Sequence, residues 1–300
     1  MNTEDALKYD GDYRVTHFKD HLEEKSKRPN SILCFKSKFP SFDEKMGGLE
    51  TGEVVVISGR RKNGKTLFAE SWIRKMMMTD PEAKALFLSY EVQTEKLLLK
   101  YIEEPFQPIY VPMSLKTMDF EWLKDRCLEA QIKFNCRILL IDHLHFMVDM
   151  NTNQNMSLNI GAFMRRLKQE IAIGMNLAVI LIAHQSQLKE GQRATSDTLR
   201  DSSLIAAECD STIIVTREKD MDGEDLRKFV EKKIGNDLGK DADKDLALHA
   251  FYESRLKRLD GNEDDYSTGL ALVSIENHRR TGVYEYKKRF QKVGNFLEEL

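Results

Sequence analysis

Gly59-Arg60-Arg61-Lys62-Asn63-Gly64-Lys65-Thr66 carries the strongest chemical signal in the chain. A glycine, four residues and then Gly-Lys-Thr is the spacing of a loop that wraps a polyphosphate. Glycine lets the backbone approach the anion closely. Successive N–H groups at a helix N-terminus point at it, and the helix dipole there favours negative charge. In such a loop Lys65 reaches the β- and γ-phosphates and the Thr66 hydroxyl ligates Mg²⁺. The binding segment then runs through Gly59, Arg60, Arg61, Lys62, Asn63, Gly64, Lys65, Thr66 and Leu67. A basic surface turn is the plain alternative, and the flanking elements argue against it. Val54, Val55, Val56 and Ile57 form a β-branched run that reads as a strand buried on both faces. Leu67, Phe68, Trp72, Ile73 and Met76 then give a helix, which Asp80-Pro81 stops.

Three further strand ends carry polar residues. Ala85–Tyr90 reads as a buried strand ending in Glu91, with Thr94 capping a helix behind it. Ligand groups in an open α/β sheet lie just past the carboxyl ends of strands. Glu91 is either the base that orients and deprotonates an attacking water or a glutamate in an ordinary loop. Ile138–Ile141 ends in Asp142, whose carboxylate is placed to hold Mg²⁺ through water. Leu177–Ala183 is a further buried strand ending in His184-Gln185. His184 is either a γ-phosphate sensor or a strand-end histidine satisfied by backbone. His143 and His145 flank Leu144 and read as loop residues without an assigned task.

The remaining pattern fills in the scaffold. Ile109–Val111 reads as a short strand, Asp119 to about Phe134 as a helix, and a second helix begins at Ser157. Ser211–Thr216 and Gly269–Ile275 read as strands, with Val283–Tyr286 as a hairpin partner. Residues 1–12 are polar and without periodicity and read as disordered, whereas Val15, Phe18 and Leu22 put one apolar stripe on a helix over 13–28. His17 and His21 share its face without a third ligand and read as solvated. Residues 186–203 form a polar loop in which Lys189, Arg193 and Arg200 are placed to hold a nucleic-acid backbone. Residues 217–268 are crowded with both charge signs and read as a surface insertion.

Composition bounds the class. The chain has 300 residues, 41% hydrophobic and 32% charged, as in a charge-rich globular protein. Its net charge of −3 argues against coating nucleic acid with the whole surface, but leaves room for a local basic channel. No apolar run approaches twenty residues, so no membrane span is expected. The acidic start, Met1–Asp5, lacks a signal-peptide core, which leads to a cytoplasmic expectation (the host cytoplasm if phage-encoded). Cys34, Cys127, Cys136 and Cys209 are scattered and read as reduced thiols.

In order, these pieces resemble the ATPase domain of DnaB-type replicative helicases, a branch of the RecA-like P-loop proteins. The resemblance runs from about Phe39 to Phe290. Phe39–Asp43 with Gly47–Leu49 resembles the family's lead-in, and Ser89–Val92 with Glu95–Leu97 its catalytic-glutamate segment. Ile141–Leu144 resembles the Mg²⁺-aspartate segment, and Arg165–Lys168 the helix after it. Asp197–Ser202 with Ile205 and Cys209-Asp210 resembles the stretch after the DNA-contacting loop. The resemblance implies an α/β fold: a RecA-like P-loop core with a mainly parallel twisted sheet flanked by helices. Residues 1–30 would be a short N-terminal helical arm that docks on the next subunit, and 31–300 the ATPase domain. It implies ATP and Mg²⁺ as cofactors, Glu91 as the base and His184 as the γ-phosphate sensor. It also implies Arg279 as an arginine finger into the neighbour's site, with Arg280 as the alternate. The expected partners are single-stranded DNA, further copies of the chain in a hexamer, and a primase or helicase loader in trans.

The sequence departs from the family pattern in three ways. Asn277 stands where a lysine usually precedes the finger arginine, the 217–268 insertion is long, and the family's large N-terminal domain and any primase are missing. That leads to the expectation of a minimal phage-, plasmid- or element-type helicase, or of a relative that kept the motor and lost unwinding. The rival readings are a RecA-like recombinase, and a KaiC-like regulatory or accessory ATPase.

Overall fold

The computed structural model describes residues 3–8, 15–20, 23, 32–93, 96, 109–148, 156–185, 202–217, 270–293 and 295–300. They fall into two compact units, Met1–Leu33 and Cys34–Leu300. In the first, the expected disorder of residues 1–12 gives way to a short helix α1 (Thr3–Lys8), with Glu4 and Asp5 in its first turn and Lys8 in its last. That charge order complements the helix dipole. Residues 18–20 and 23 are helical; most of the rest of the expected 13–28 helix lies outside the described residues.

The second unit is built on one sheet. In chain order it runs β1 (Cys34–Phe35), α2 (Pro40–Met46), β2 (Leu49–Glu50), β3 (Val54–Ser58), α3 (Lys65–Met77), β4 (Ala85–Ser89) and β5 (Ile109–Tyr110). There follow α4 (Phe120–Phe134), β6 (Ile138–Asp142), α5 (Met156–Arg166), β7 (Ala178–Ile182), α6 (Ser202–Glu208) and β8 (Ser211–Arg217). β9 (Leu270–His278), β10 (Val283–Val293) and β11 (Phe296–Glu299) end the chain. The sheet has nine strands in the order β11-β10-β9-β8-β3-β7-β6-β4-β5. From β8 through β5 the neighbours are parallel, and β8–β9, β9–β10 and β10–β11 are antiparallel.

The four inner strands β3, β4, β6 and β7 are buried along their whole length. Unbroken apolar runs suit that environment because helices cover both faces of a parallel sheet. On one face Val56, Leu88, Ile141 and Leu181 pack with Leu123 and Cys127 of α4 and Ile160 and Met164 of α5. The side chain of Asp119 accepts the Trp122 N–H at 2.8 Å and starts α4, and Asn135 in the left-handed region ends it. The expected helix start at Asp119 is thus its cap. The helix of α5 continues through a wider π-helical stretch, Leu167–Ile173.

Elsewhere the core is an aromatic cluster. Phe290 of β10 meets Phe39, Phe42 and Phe68 edge-on, with ring centres 4.9, 5.5 and 5.5 Å apart, and Trp72 stacks on Phe68 at 6.0 Å. Such pairs add to area burial, and they tie α2 and α3 to the antiparallel strands. The sequence reading did not assign α2 or β11, and it ended the hairpin partner of β9 at Tyr286. Among the described residues no helix is long and apolar enough to cross a membrane. Phe290→Ala should cost about 3 kcal/mol or more in urea-induced unfolding, because it opens a hole lined by three rings.

Candidate active site

The site begins with a backbone constraint. Gly59 follows β3 with φ +150, and a Cβ built there would lie 2.2 Å from the Val215 carbonyl oxygen. Only glycine fits where the chain leaves β3 against β8. Gly64 (φ +86) caps α3, and Lys62 also has positive φ. The loop closes on itself through the Asn63 N–H to the Arg60 carbonyl at 3.3 Å. Arg61 and Lys62 are exposed, whereas Asn63 and Lys65 are buried.

Lys65 Nζ donates to the carbonyls of Gly59 and Arg60, both at 3.1 Å, so its ammonium sits inside the ring of the loop. Burial pulls its pKa below the usual lysine value, and the Glu91 and Asp142 carboxylates oppose that. The next residue makes the decisive contact. Thr66 Oγ1 donates to Asp142 Oδ2 at 2.6 Å. The hydroxyl and the carboxylate, which lie far apart in sequence, converge beside the loop lysine. Two hard oxygen donors next to a polyphosphate cradle are what Mg²⁺ prefers. The residues present therefore fit the ion.

Strand register explains the convergence. Ile57 is level with Ile182, Ile182 with Asp142, and Asp142 with Ser89. The residues just past these tips are Gly59, His184, His143 and Glu91. Glu91 is exposed, and the Tyr90 N–H donates to the Asp142 carbonyl at 2.6 Å, which fixes the start of its turn. Glu91, His143 and His184 each bring one donor atom within 4.8 Å of the others. The His143 and His184 ring centres are 4.0 Å apart. Burial, with His184 and His145 nearby, pushes the His143 imidazole down to about 3, so it is uncharged at neutral pH. His143 was assigned no task from the sequence. The signal that pointed to it was its place, one residue past the Asp142 strand tip.

Arg279 and Arg280 lie at the other end of the sheet. The Arg279 N–H donates to the Asp210 carbonyl and the Asp210 N–H to the Val54 carbonyl, at the amino end of β3. At ~3.3 Å per residue, β3 separates Val54 from Gly59 by roughly 16 Å. Arg280 is engaged within its own chain. It pairs with Glu53 at 2.7 Å and Glu50 at 3.0 Å, and donates to the carbonyls of Met46 and Gly48, each at 2.8 Å. Arg279 is exposed and its guanidinium donates to the Ala207 carbonyl of α6. Lys189, Arg193 and Arg200 lie outside the described residues, as does the charged segment after Arg217.

Comparison with known proteins agrees with this geometry. A family model described as the DnaB-like helicase C terminal domain matches residues 34–107 and 105–242. The chain belongs to that family. It is 21% identical over 239 residues to a replicative DNA helicase DnaB of Leifsonia xyli subsp. xyli, covering 68% of this chain and 51% of that protein. It is also 21% identical over 233 residues to a replicative DNA helicase DnaB of Rickettsia typhi, covering 64% and 47%. The chain thus spans about half the length of these relatives. Among solved structures it resembles a DnaB-like replicative helicase studied with primase, with TM-score 0.64 and 16% identity over 94% of this chain and 67% of that one. A solved ATPase domain matches with TM-score 0.63 and 16% identity, covering 94% and 97%. The DnaB-type family and its RecA-like P-loop fold, both expected from the sequence, are therefore established.

In a DnaB-like domain built this way, the close approach of Gly59 to Val215 is a stability determinant as well as a loop requirement. Gly59→Ala should lower unfolding stability by about 2 kcal/mol, in the range of a strained backbone position, as measured by denaturant melts followed by circular dichroism.

Proposed function

We propose that the chain is an ATP-hydrolysing DNA helicase or translocase that works on single-stranded DNA as a ring, with its active sites shared between subunits. The observation that carries this reading is the 2.6 Å contact of Thr66 with Asp142 beside the loop lysine. Residues Gly59 to Leu67 hold the phosphates of ATP, and Lys65 stands against the β- and γ-phosphates. Thr66 and Asp142 hold Mg²⁺, which when bound neutralises charge on the β- and γ-phosphate oxygens. Glu91 orients the attacking water and accepts its proton. His184 senses the γ-phosphate from the tip of β7.

Arg279 completes the site of a neighbouring subunit, where a cation is worth most against the spread charge of the transferring phosphoryl group. Its place at the opposite end of β3 from its own loop supports action in trans. The internal engagement of Arg280 favours Arg279 for that role. The segment containing Lys189, Arg193 and Arg200 lines the path of the DNA. A primase or a helicase loader acts in trans, and the work is done in the cytoplasm of the cell or the phage host.

Steady-state ATP hydrolysis with and without single-stranded DNA tests this reading. DNA should stimulate the rate, and Glu91→Ala and Arg279→Ala should each lower it by at least about a hundredfold. A rate indifferent to DNA would overturn the helicase reading in favour of a KaiC-like regulatory or accessory ATPase. Stimulation without strand displacement would point to a RecA-like filament protein. Mixing the two inactive variants should restore part of the rate, because an interface with Glu91 from one subunit and Arg279 from the next is complete. No recovery on mixing would place both residues in the same subunit's site.

A further inference from the structure

The ring of His143 is held from several sides. Its Nδ1 accepts the backbone N–H of His145 at 3.3 Å and so caps the short 3₁₀ turn Leu144–Phe146. On one side it meets His184, with ring centres 4.0 Å apart, and on another it tilts over Phe146 at 4.8 Å. Phe146 in turn stacks on Tyr90 at 5.7 Å, and Tyr90 immediately precedes Glu91. A continuous line of rings therefore joins the tips of three strands: Tyr90 at β4, Phe146 and His143 past β6, and His184 past β7.

Burial differs along this line. His143 is 8% exposed, while Glu91 is exposed. A carboxylate on an exposed turn has free rotamers, and a water-activating base needs one of them. The group that can select it is the fixed one. With Nδ1 acting as acceptor, the ring carries its proton on Nε2. With its proton on Nε2, His143 can donate a hydrogen bond and the Glu91 carboxylate can accept one, so the Glu91–His143–His184 cluster reads as a donor–acceptor array.

Resting on the ATPase reading above, we propose that His143 is a positioning residue: its Nε2–H orients the Glu91 carboxylate for water attack, and its ring couples Glu91 to the sensor His184. His143 does not touch the phosphate in this scheme. It acts through Glu91, so its effect belongs in kcat and not in nucleotide affinity.

The test compares His143→Phe, which keeps an aromatic ring but removes both nitrogens, with His143→Asn, which keeps a donor and an acceptor. Hydrolysis is measured as kcat and KM for ATP, binding with a fluorescent ATP analogue, and folding by thermal melting. His143→Phe should lower kcat at least tenfold with KM and analogue affinity within twofold, and His143→Asn should recover most of the loss. The second measurement uses Glu91→Gln as background under single-turnover conditions. With the base already removed, His143→Phe should cost less than twofold more, because residues that act as one unit are non-additive. A third readout is ¹⁵N NMR of the ring, which should show the Nε2–H tautomer in wild type.

An equal loss from His143→Phe in the wild-type and Glu91→Gln backgrounds would overturn the proposal, as would a wild-type kcat in His143→Phe or a change confined to KM. If His143→Phe does not fold, His143→Asn and the NMR tautomer carry the test; a ring protonated on Nδ1 overturns it. Failure of the underlying reading is distinct: wild type would then hydrolyse no ATP, or Lys65→Ala would hydrolyse it as fast as wild type.

Discussion

The register of four parallel strands sets where every group of the site can stand. β3, β7, β6 and β4 run side by side, with Ile57, Ile182, Asp142 and Ser89 at one level. Each strand is buried along its length and apolar on both faces, so its hydrophobic pattern alone does not choose between neighbouring registers, and close packing of side chains of different size against the covering helices must do so. The pairing sets the level of the tips, and with it the contact between Thr66 and Asp142. Helix α3 adds the second constraint. It starts at Lys65, directly from the loop, and its Phe68 and Trp72 are locked in the aromatic cluster. The hydroxyl of Thr66 is thus placed by core packing on one side and by β-pairing on the other.

The opposite end of the sheet is secured by charge rather than by rings. Asp210 accepts the Val54 N–H at 2.7 Å and the Lys168 ammonium at 2.5 Å, and the same lysine donates to the Gly52 carbonyl. Arg280 gathers Glu50, Glu53 and two carbonyls around the turn after α2. A partly buried arginine with this many partners is a structural fixture. It holds the β9–β10 turn rigidly enough that the neighbouring Arg279 is presented from a defined base. On the proposed reading, each subunit then offers a phosphate loop at one end of β3 and a finger at the other. On that reading neither end completes a site alone, so a neighbouring subunit is a chemical requirement.

The sequence revealed most where local pattern and chemistry coincide. The runs of β3, β4, β6 and β7 are apolar without interruption and end in polar residues, so both strand and tip could be read. The loop motif specified its own conformation because Gly59 and Gly64 adopt backbone angles that other residues avoid. What escaped was set by tertiary contact. β11 and the second half of β10 sit in a charged tail, where only Phe290, Phe296 and Leu297 are buried. Three apolar residues among many charges form no period. α2 was hidden for a related reason: Pro40 opens it and Gly47 closes it, so the turn signals at its ends dominate a seven-residue stretch. His143 was visible, but its neighbours Glu91 and His184 come from other strands, and no spacing along the chain reports that.

The loop lysine shows how the site limits the cost of binding. A free lysine side chain loses ~1.5–2 kcal/mol of rotamer entropy when it is ordered. Here the Lys65 ammonium is already held by the carbonyls of Gly59 and Arg60, and its burial raises the energy of the charged form. Both effects are met by folding, through the packing of α3 against β3. An anion entering the loop then meets an ordered cation in a partly desolvated setting, where Coulomb attraction is stronger than in water. It also exchanges neutral carbonyl partners for a charged one, a change that favours the bound state. Preorganisation of this kind lets a short, glycine-hinged loop hold a highly charged ligand without large rearrangement. The movement is left to the exposed Glu91 turn and the Arg279 side chain, the two groups that on the proposed reading must respond to what the loop holds.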